Sequence, residues 1–421
     1  MNIKPEQDTD ILFGLMGDSH ITFEGAGVQE VKKALEIYSQ IGVEALVFTG
    51  DIIYQADNWN GPTTKVIEQP YEYYNKLIND YAKNVPIVYC MGNHEYAQNN
   101  EASETLLKDA VSLFEEQTSQ KAKFHTVIKG FHFITAEIND FCCRVTRETE
   151  EWVENEIEKA LSDDEEKPVF VIMHAPIQET VIDSPKKENA KYSDEFKKFL
   201  NQRSRVVFLC GHLHTAAQNP RSIWQDGFTV VHSPNTAVGT LGNDGINNEE
   251  AVWGISQGLI VAVKDNHVKI YKLDFNTDKL IGEPWEIDIN AGCGDFLYTD
   301  RRFKNTNKPY FDNNAELNVK INGDGKTCAC FSRALCEPCG KNQDGFAAAY
   351  NIKVTDEQSG EIVSDFWYQA DYYYTVPHGD FLKKNITGLE YGRRYVFEIY
   401  AANPLGSVSE KPLKRELFIG R

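Results

Sequence analysis

At 421 residues, with 41% hydrophobic and 25% charged residues, the chain has the composition of a folded protein and the length for two or three domains. Its 43 Lys and Arg against 63 Asp and Glu give a formal charge of −20, which repels polyanions and speaks against extended nucleic acid as a partner. No apolar run reaches the ~20 residues of a membrane helix. The first residues, MNIKPEQDTD, lack a signal peptide's basic-then-apolar layout, so cytoplasmic residence is expected, or secretion if a leader has been removed.

Along the first half, apolar strands alternate with amphipathic helices. The pattern predicts a strand over Ile11–Met16, a helix over 28–40 and a strand over 45–49. A helix with Tyr73, Leu77, Ile78 and Tyr81 on one face follows, then a strand over 86–91, helices around 106–114 and 152–161, and strands over 169–173 and Val206–Cys210. This βαβ alternation predicts an α/β domain. From residue 228 the pattern turns strand-rich, with strands over 228–232, 258–263 and 267–273. Residues 291–314, rich in Gly, Asn, Pro and Asp, read as a linker between a first domain, 1–290, and a second, 315–421. The second domain reads as β throughout, with strands over Leu317–Ile321, 327–333, 348–354, 372–376 and 395–401, as in an all-β sandwich. The acidic run 163–166 reads as a solvated helix end.

The polar residues of the first domain gather where its strands stop. Strand Ile11–Met16 runs into Gly17-Asp18-Ser19-His20, the strand 45–49 into Gly50-Asp51, and the strand 86–91 into Gly92-Asn93-His94-Glu95. The last two strands run into His174-Ala175-Pro176 and Gly211-His212-Leu213-His214. In an open α/β sheet, ligands bind in the crevice beyond the strands' C-terminal ends. Five of the ten histidines lie in these five motifs, a concentration that points to metal binding.

The series DSH, GD, GNHE, MHAP and GHLH, in this order, resembles the calcineurin-like metallophosphoesterase family, over roughly residues 11–274. The resemblance implies two facing β-sheets flanked by helices, a four-layer α/β/β/α sandwich, with a dinuclear metal site at one edge. It implies that one metal takes Asp18, His20 and His214, that the other takes Asn93, His174 and His212, and that Asp51 bridges them. His94 is implied to stand beside the site without ligating. Carboxylate, imidazole and amide oxygen suit borderline divalent ions such as Mn, Fe, Zn or Co. Two such ions about 3.5–4 Å apart clamp a phosphoryl group and activate a bridging water. Only a carboxylate among these ligands spans that distance, which fits Asp51 to the shared position. His94, next to ligand Asn93, is placed to protonate the departing alkoxide as general acid, and Glu95 is expected outside the ligand set.

Two details bear on the kind of phosphoesterase. The Asp-Arg-Gly that Ser/Thr protein phosphatases place after the second motif is replaced here by Ile52-Ile53-Tyr54. GDIIY resembles the GDxxY of purple acid phosphatases, where the Tyr binds ferric iron, yet those enzymes lack the His that this chain carries as His20. Tyr54 is thus either a metal ligand or a packed or substrate-facing aromatic. Phe23, Trp59, Tyr96 and Asn139-Asp140-Phe141 are the remaining candidates near the substrate.

Near the C-terminus, NITGLEYG (385–392), then YVFEIYAAN (395–403) and Gly406-Ser407, resemble a fibronectin type III domain. The resemblance implies a tyrosine corner of Leu389 and Tyr395 and a module that docks or dimerises and does no chemistry. Within it, Cys328, Cys330, Cys336 and Cys339 have the spacing of a structural Zn site, of two disulfides, or of free thiols. The sequence thus predicts a phosphoesterase with two Mn, Fe or Zn ions and a small phosphorylated substrate, and no membrane association. Alternatives are a nuclease of the same superfamily, or an adhesion or scaffold protein with an inactive phosphoesterase domain.

Overall fold

The computed structural model describes residues 8–54, 64–96, 104–239, 252–253, 255–291, 295–321, 327–338, 345–369 and 379–420. The chain divides into two compact units, Met1–Gly242 with Glu250–Thr299, and one containing Asp300–Arg421. The first unit begins β1 (Ile11–Met16), α1 (Val28–Ile41), β2 (Ala45–Phe48), α2 (Thr64–Tyr81), β3 (Ile87–Tyr89) and α3 (Glu104–Thr118). It continues through β4 (Phe124–Ile128), β5 (Phe131–Thr135), α4 (Arg147–Asp163), β6 (Val169–Ile172), α5 (Asp194–Leu200), β7 (Val206–Cys210), β8 (Ile223–Gln225) and β9 (Thr229–His232). It ends with β10 (Val238–Gly239), β11 (Val252–Trp253), β12 (Gln257–Lys264), β13 (His267–Asp274) and β14 (Lys279–Asp288).

Two six-stranded sheets carry this unit, in the orders β14-β13-β12-β1-β2-β3 and β4-β5-β6-β7-β9-β8. Strand β1 shows why they face each other. Its side chains alternate, and both sides are apolar because both are covered. Ile11, Phe13 and Leu15 enter a core with Val47, Phe133, Phe170, Leu209 and Val261, which come from both sheets. Leu12 and Met16 enter a second core with Val31, Leu35 and Tyr38 of α1 and Leu46 and Phe48 of β2. Burying side chains of this size stabilises by roughly 1.5–3 kcal/mol each. The unit is a mixed α/β fold built on two facing sheets.

Helix α1 is held at both ends of its apolar face. Val31, Ala34, Leu35 and Tyr38, spaced three and four apart, are buried. Gly42, at φ 79°, ends the helix by donating from its N–H to the carbonyls of Tyr38 and Ser39. The Tyr38 ring lies on β1, where a Cβ on Gly14 would stand 2.8 Å from it. Its hydroxyl, 2.9 Å from the Leu15 carbonyl, closes the contact.

Among the elements of this unit that the pattern did not predict are the hairpin β4–β5, helix α5 and strands β8, β10, β11 and β14. The hairpin turns on Lys129 (φ 52°) and Gly130 (φ 79°), two left-handed residues that suit a tight two-residue connection. Among the described residues no helix is long and apolar enough to cross a membrane.

The second unit adds β-rich sheets: β15 (Leu317–Ile321), β16 (Thr327–Ser332), β17 (Ala349–Asp356), β18 (Ile362–Gln369), β19 (Phe381–Ile386), β20 (Arg394–Ala402) and β21 (Leu413–Phe418). They form a three-stranded sheet, β15-β16-β19, and a four-stranded one, β18-β17-β20-β21. Phe331 of the first and Tyr350 of the second meet edge to face at 5.3 Å. The predicted strand 372–376 lies outside the described residues. Cys328 and Cys330 share the less buried face of β16 as free thiols, and Cys336 lies in the loop after it. These three do not come together as a ligand group, and Cys339 lies outside the described residues.

Candidate metal centre

The loops that leave β1, β2, β3, β6 and β7 converge at one edge of the paired sheets. Asp18, His20, Asp51 and His214 each offer a ligand atom, all within 4.8 Å of one another. Asp51 also belongs to a second such group with His174 and His212. Asn93 joins that second group, its Oδ1 lying 2.9 Å from His174 Nε2 and 2.9 Å from His212 Nδ1. All seven residues that the motifs singled out are therefore in one place, in two sets that share Asp51. The sharing is physical: Asp51 Oδ2 is 3.8 Å from His20 Nε2 and 3.1 Å from His174 Nε2.

The backbone is bent to achieve this. Asp18, His20, Asp51, His212 and His214 have φ of 51°, 45°, 53°, 76° and 55°, the left-handed region that non-glycine residues seldom occupy. Each such residue costs about 1–3 kcal/mol and persists only where its surroundings dictate it. The glycines of the motifs make room for the neighbouring loop's side chain. A Cβ on Gly92 would lie 2.2 Å from Asp51 Oδ1, and one on Gly211 2.6 Å from Asp18 Oδ2.

The electrostatics call for added positive charge. Burial pushes the Asp18 carboxyl up, but His214 and His174 outweigh it and hold it at about 2. Burial opposes the Asp51 charge too, and His174 and His94 still keep it well below the ordinary value. Burial, then the neighbouring imidazoles, lower His20 and His212 to about 3, so both rings offer lone pairs. For His174 burial is outweighed by Asp51, whose charge raises it to about 9. Two ionised, buried carboxylates ringed by imidazoles, with His20 Nδ1 buried and unpartnered, fit divalent ions.

Residues 11–216 match the family model described as calcineurin-like phosphoesterase. These residues of the first unit are thus similar to calcineurin-like phosphoesterases. Solved structures are similar to the chain at low identity. A dimetal phosphatase from Danio rerio shares 12% identity with TM-score 0.45, over 67% of this chain and 100% of that one. A purple acid phosphatase from yellow lupin shares 14% with TM-score 0.46, over 70% and 57%. A search of curated proteins finds no match.

Around the two donor groups stands a short aromatic wall. The Tyr54 ring stacks on His94 at 4.8 Å and meets the His20 ring at 5.6 Å. Phe141 meets His94 edge-on at 5.6 Å. Tyr96 instead turns inward, fully buried, its hydroxyl 2.6 Å from the Ile138 carbonyl, and takes no part in the wall. Phe23 is exposed, and Trp59 lies outside the described residues. Two further neighbours complete the site, Cys143, which lay outside the motifs, and Glu95, the last residue of the third motif. Cys143 places its sulfur 3.7 Å from His212 Nδ1, and Glu95, only 2% exposed, lies beneath Asp51. Burial and the Asp51 charge raise its carboxyl to about 7, while backbone N–H groups at Gly92 and Ile53 pull the other way.

Proposed function

We propose that the domain hydrolyses phosphate esters of small organic alcohols with two divalent ions, Mn, Fe or Zn. Asp18, His20 and His214 hold one, Asn93, His174 and His212 hold the other, and Asp51 belongs to both. The observation that carries the reading is the pair of donor groups meeting at the same carboxylate. Two ions so held would polarise a phosphoryl group and activate a water for attack.

The chain's own residues do the rest. His94 is fixed by the Tyr54 stack and by its backbone N–H, which donates to Asp51 Oδ1 at 2.8 Å. It hands its proton to the departing alkoxide, and its pKa, lowered by burial, makes it a stronger acid. Beside it opens a cavity of about 660 Å³, walled by Thr22, Gly25, Ala26, Gly27, Tyr54, Ala237 and the ligands His20 and His214. That is the size range of small-molecule sites, and it places an organic leaving group against the general acid. Glu30 on its wall and the net charge of −20 disfavour polyanions, hence a small ester over a nucleic acid strand. Tyr54 in this reading packs His94 and lines the leaving-group side.

For the second unit the reading is a fibronectin type III-like module. Supporting it, the buried Tyr395 hydroxyl accepts the Glu390 N–H at 2.9 Å, five residues upstream.

The Mn- or Zn-loaded protein should hydrolyse p-nitrophenyl phosphate or its bis ester, and Asp51→Asn and His212→Ala should abolish this with the circular dichroism intact. Undiminished activity in both variants overturns the reading, and fewer than one metal per chain by elemental analysis, with no hydrolysis, favours a scaffold.

A further inference from the structure

The geometry points to Glu95 as the positioning residue that sets Asp51 between its two ligand groups, a role that rests on reading Asp51 as the shared metal ligand. Its carboxylate accepts four backbone N–H bonds. Oε1 takes those of Ile52 at 2.7 Å and Ile53 at 3.3 Å. Oε2 takes those of Asp51 at 3.1 Å and Gly92 at 2.6 Å. A carboxylate has about four acceptor sites, so its capacity is filled by main chain alone. Three of the donors are consecutive, and the left-handed turns at Gly50 (φ 106°) and Asp51 (φ 53°) aim them at one point. The fourth comes from the loop after β3, so the same carboxylate ties together the two loops that bring Asp51 and Asn93.

The consequence falls on the Asp51 side chain. Glu95 holds its backbone from below, and the His94 N–H takes its Oδ1 at 2.8 Å. Oδ2 is left buried with no main-chain donor, facing His174 Nε2 at 3.1 Å and His20 Nε2 at 3.8 Å. A buried Glu that merely links two loops would serve stability alone. Glu95 acts instead on which oxygen Asp51 presents, and to where. Glutamine has its size but one acceptor oxygen and an amide that would aim donors at donors. Aspartate keeps the charge and reaches a methylene less far.

The test uses the full chain loaded with Mn. In the wild-type protein the two ions, sharing a carboxylate, should give a spin-coupled electron paramagnetic resonance spectrum. In Glu95→Gln that spectrum should collapse to the six-line signal of isolated Mn. Metal content should fall from two toward one per chain, and kcat should drop ~10–100-fold with KM unchanged. Glu95→Asp should recover part of the coupling. As a control, Val153→Ala, in the core between α4 and its sheet, should lower the melting temperature and leave the coupled spectrum alone. A Glu95→Gln protein with two coupled ions and wild-type kcat overturns the proposal, as does a Val153→Ala protein that loses coupling in the same way. Should Glu95→Gln not fold, Glu95→Asp decides, and unaltered coupling there overturns it. A wild-type protein that binds no coupled pair overturns the ligand reading, and the positioning role with it.

Discussion

The first unit holds two clusters of carboxylates and imidazoles, and they do opposite things. At the strand ends, His20 and His214 bring their Nε2 atoms 2.9 Å apart, with Asp18 Oδ1 3.3 Å from His214 Nε2. On the edge of the second sheet, His125 Nε2 and His132 Nδ1 are 2.8 Å apart, with Glu156 2.7 Å from His125 Nδ1 and Asp163 3.1 Å from His132 Nε2. The composition is similar and the arrangement is not. The second cluster runs end to end, carboxylate, imidazole, imidazole, carboxylate, with each ring nitrogen engaged by a different neighbour. The first converges on a point, from left-handed backbone, and leaves acceptors buried without partners. Residue type does not make a metal centre; convergence with unmet acceptors does.

Metal titration breaks the comparison most directly. Raising Mn or Zn to a hundred times its dissociation constant should stabilise the protein by about 2.7 kcal/mol per site against thermal unfolding. The increment should vanish in Asp51→Asn and persist in His132→Ala. An increment lost in His132→Ala, with Asp51→Asn unaffected, would exchange the roles of the two clusters. Next in size is Gly211→Ala, whose new methyl meets Asp18 Oδ2. Overpacking of this kind costs about 1–3 kcal/mol, and here it should weaken metal uptake as well as lower the melting temperature. His132→Ala should cost about 0.5–1.5 kcal/mol, the scale of lost hydrogen bonds, with metal content by elemental analysis still that of the wild type.

How legible each cluster was follows from where its residues sit. The strand-end residues lie directly after apolar runs, so the five motifs and their order were readable one by one, and the structure brings all seven together. The second cluster has no such marker. His125 and His132 flank the Lys129-Gly130 turn, which the periodicity did not pick out, and their partners come from α4 across the chain. Helix α4 itself starts earlier than its apolar spacing suggests, because Thr146 accepts the Thr149 N–H and caps a first turn made of charged residues. The run at 163–166 read as a solvated helix end, yet Asp163 meets His132 and Asp164 Oδ1 accepts the N–H groups of Glu166 and Lys167. The Glu95 contacts were unreadable for the same reason. They are made to main-chain N–H groups, which no residue type announces.

The smallest effect separates the clusters by pH. Burial alone would raise the Glu156 carboxyl, but hydrogen bonds from Lys159 and His125 outweigh it and hold it below its ordinary 4.5. A carboxyl whose folded pKa is depressed binds its proton more readily when unfolded, so it adds stability above about pH 4.5 and loses it as the pH falls through the folded value. Glu156→Gln should therefore lower the melting temperature slightly in the neutral region and flatten the acid limb of the profile below pH 4.5, the two proteins converging at low pH. The group lies in the end-to-end cluster, away from the strand-end donor groups, so the flattening should be the same with and without Mn. A profile whose acid limb changes only in the metal-loaded protein would mean that the two clusters are coupled, and the contrast drawn between them would fail.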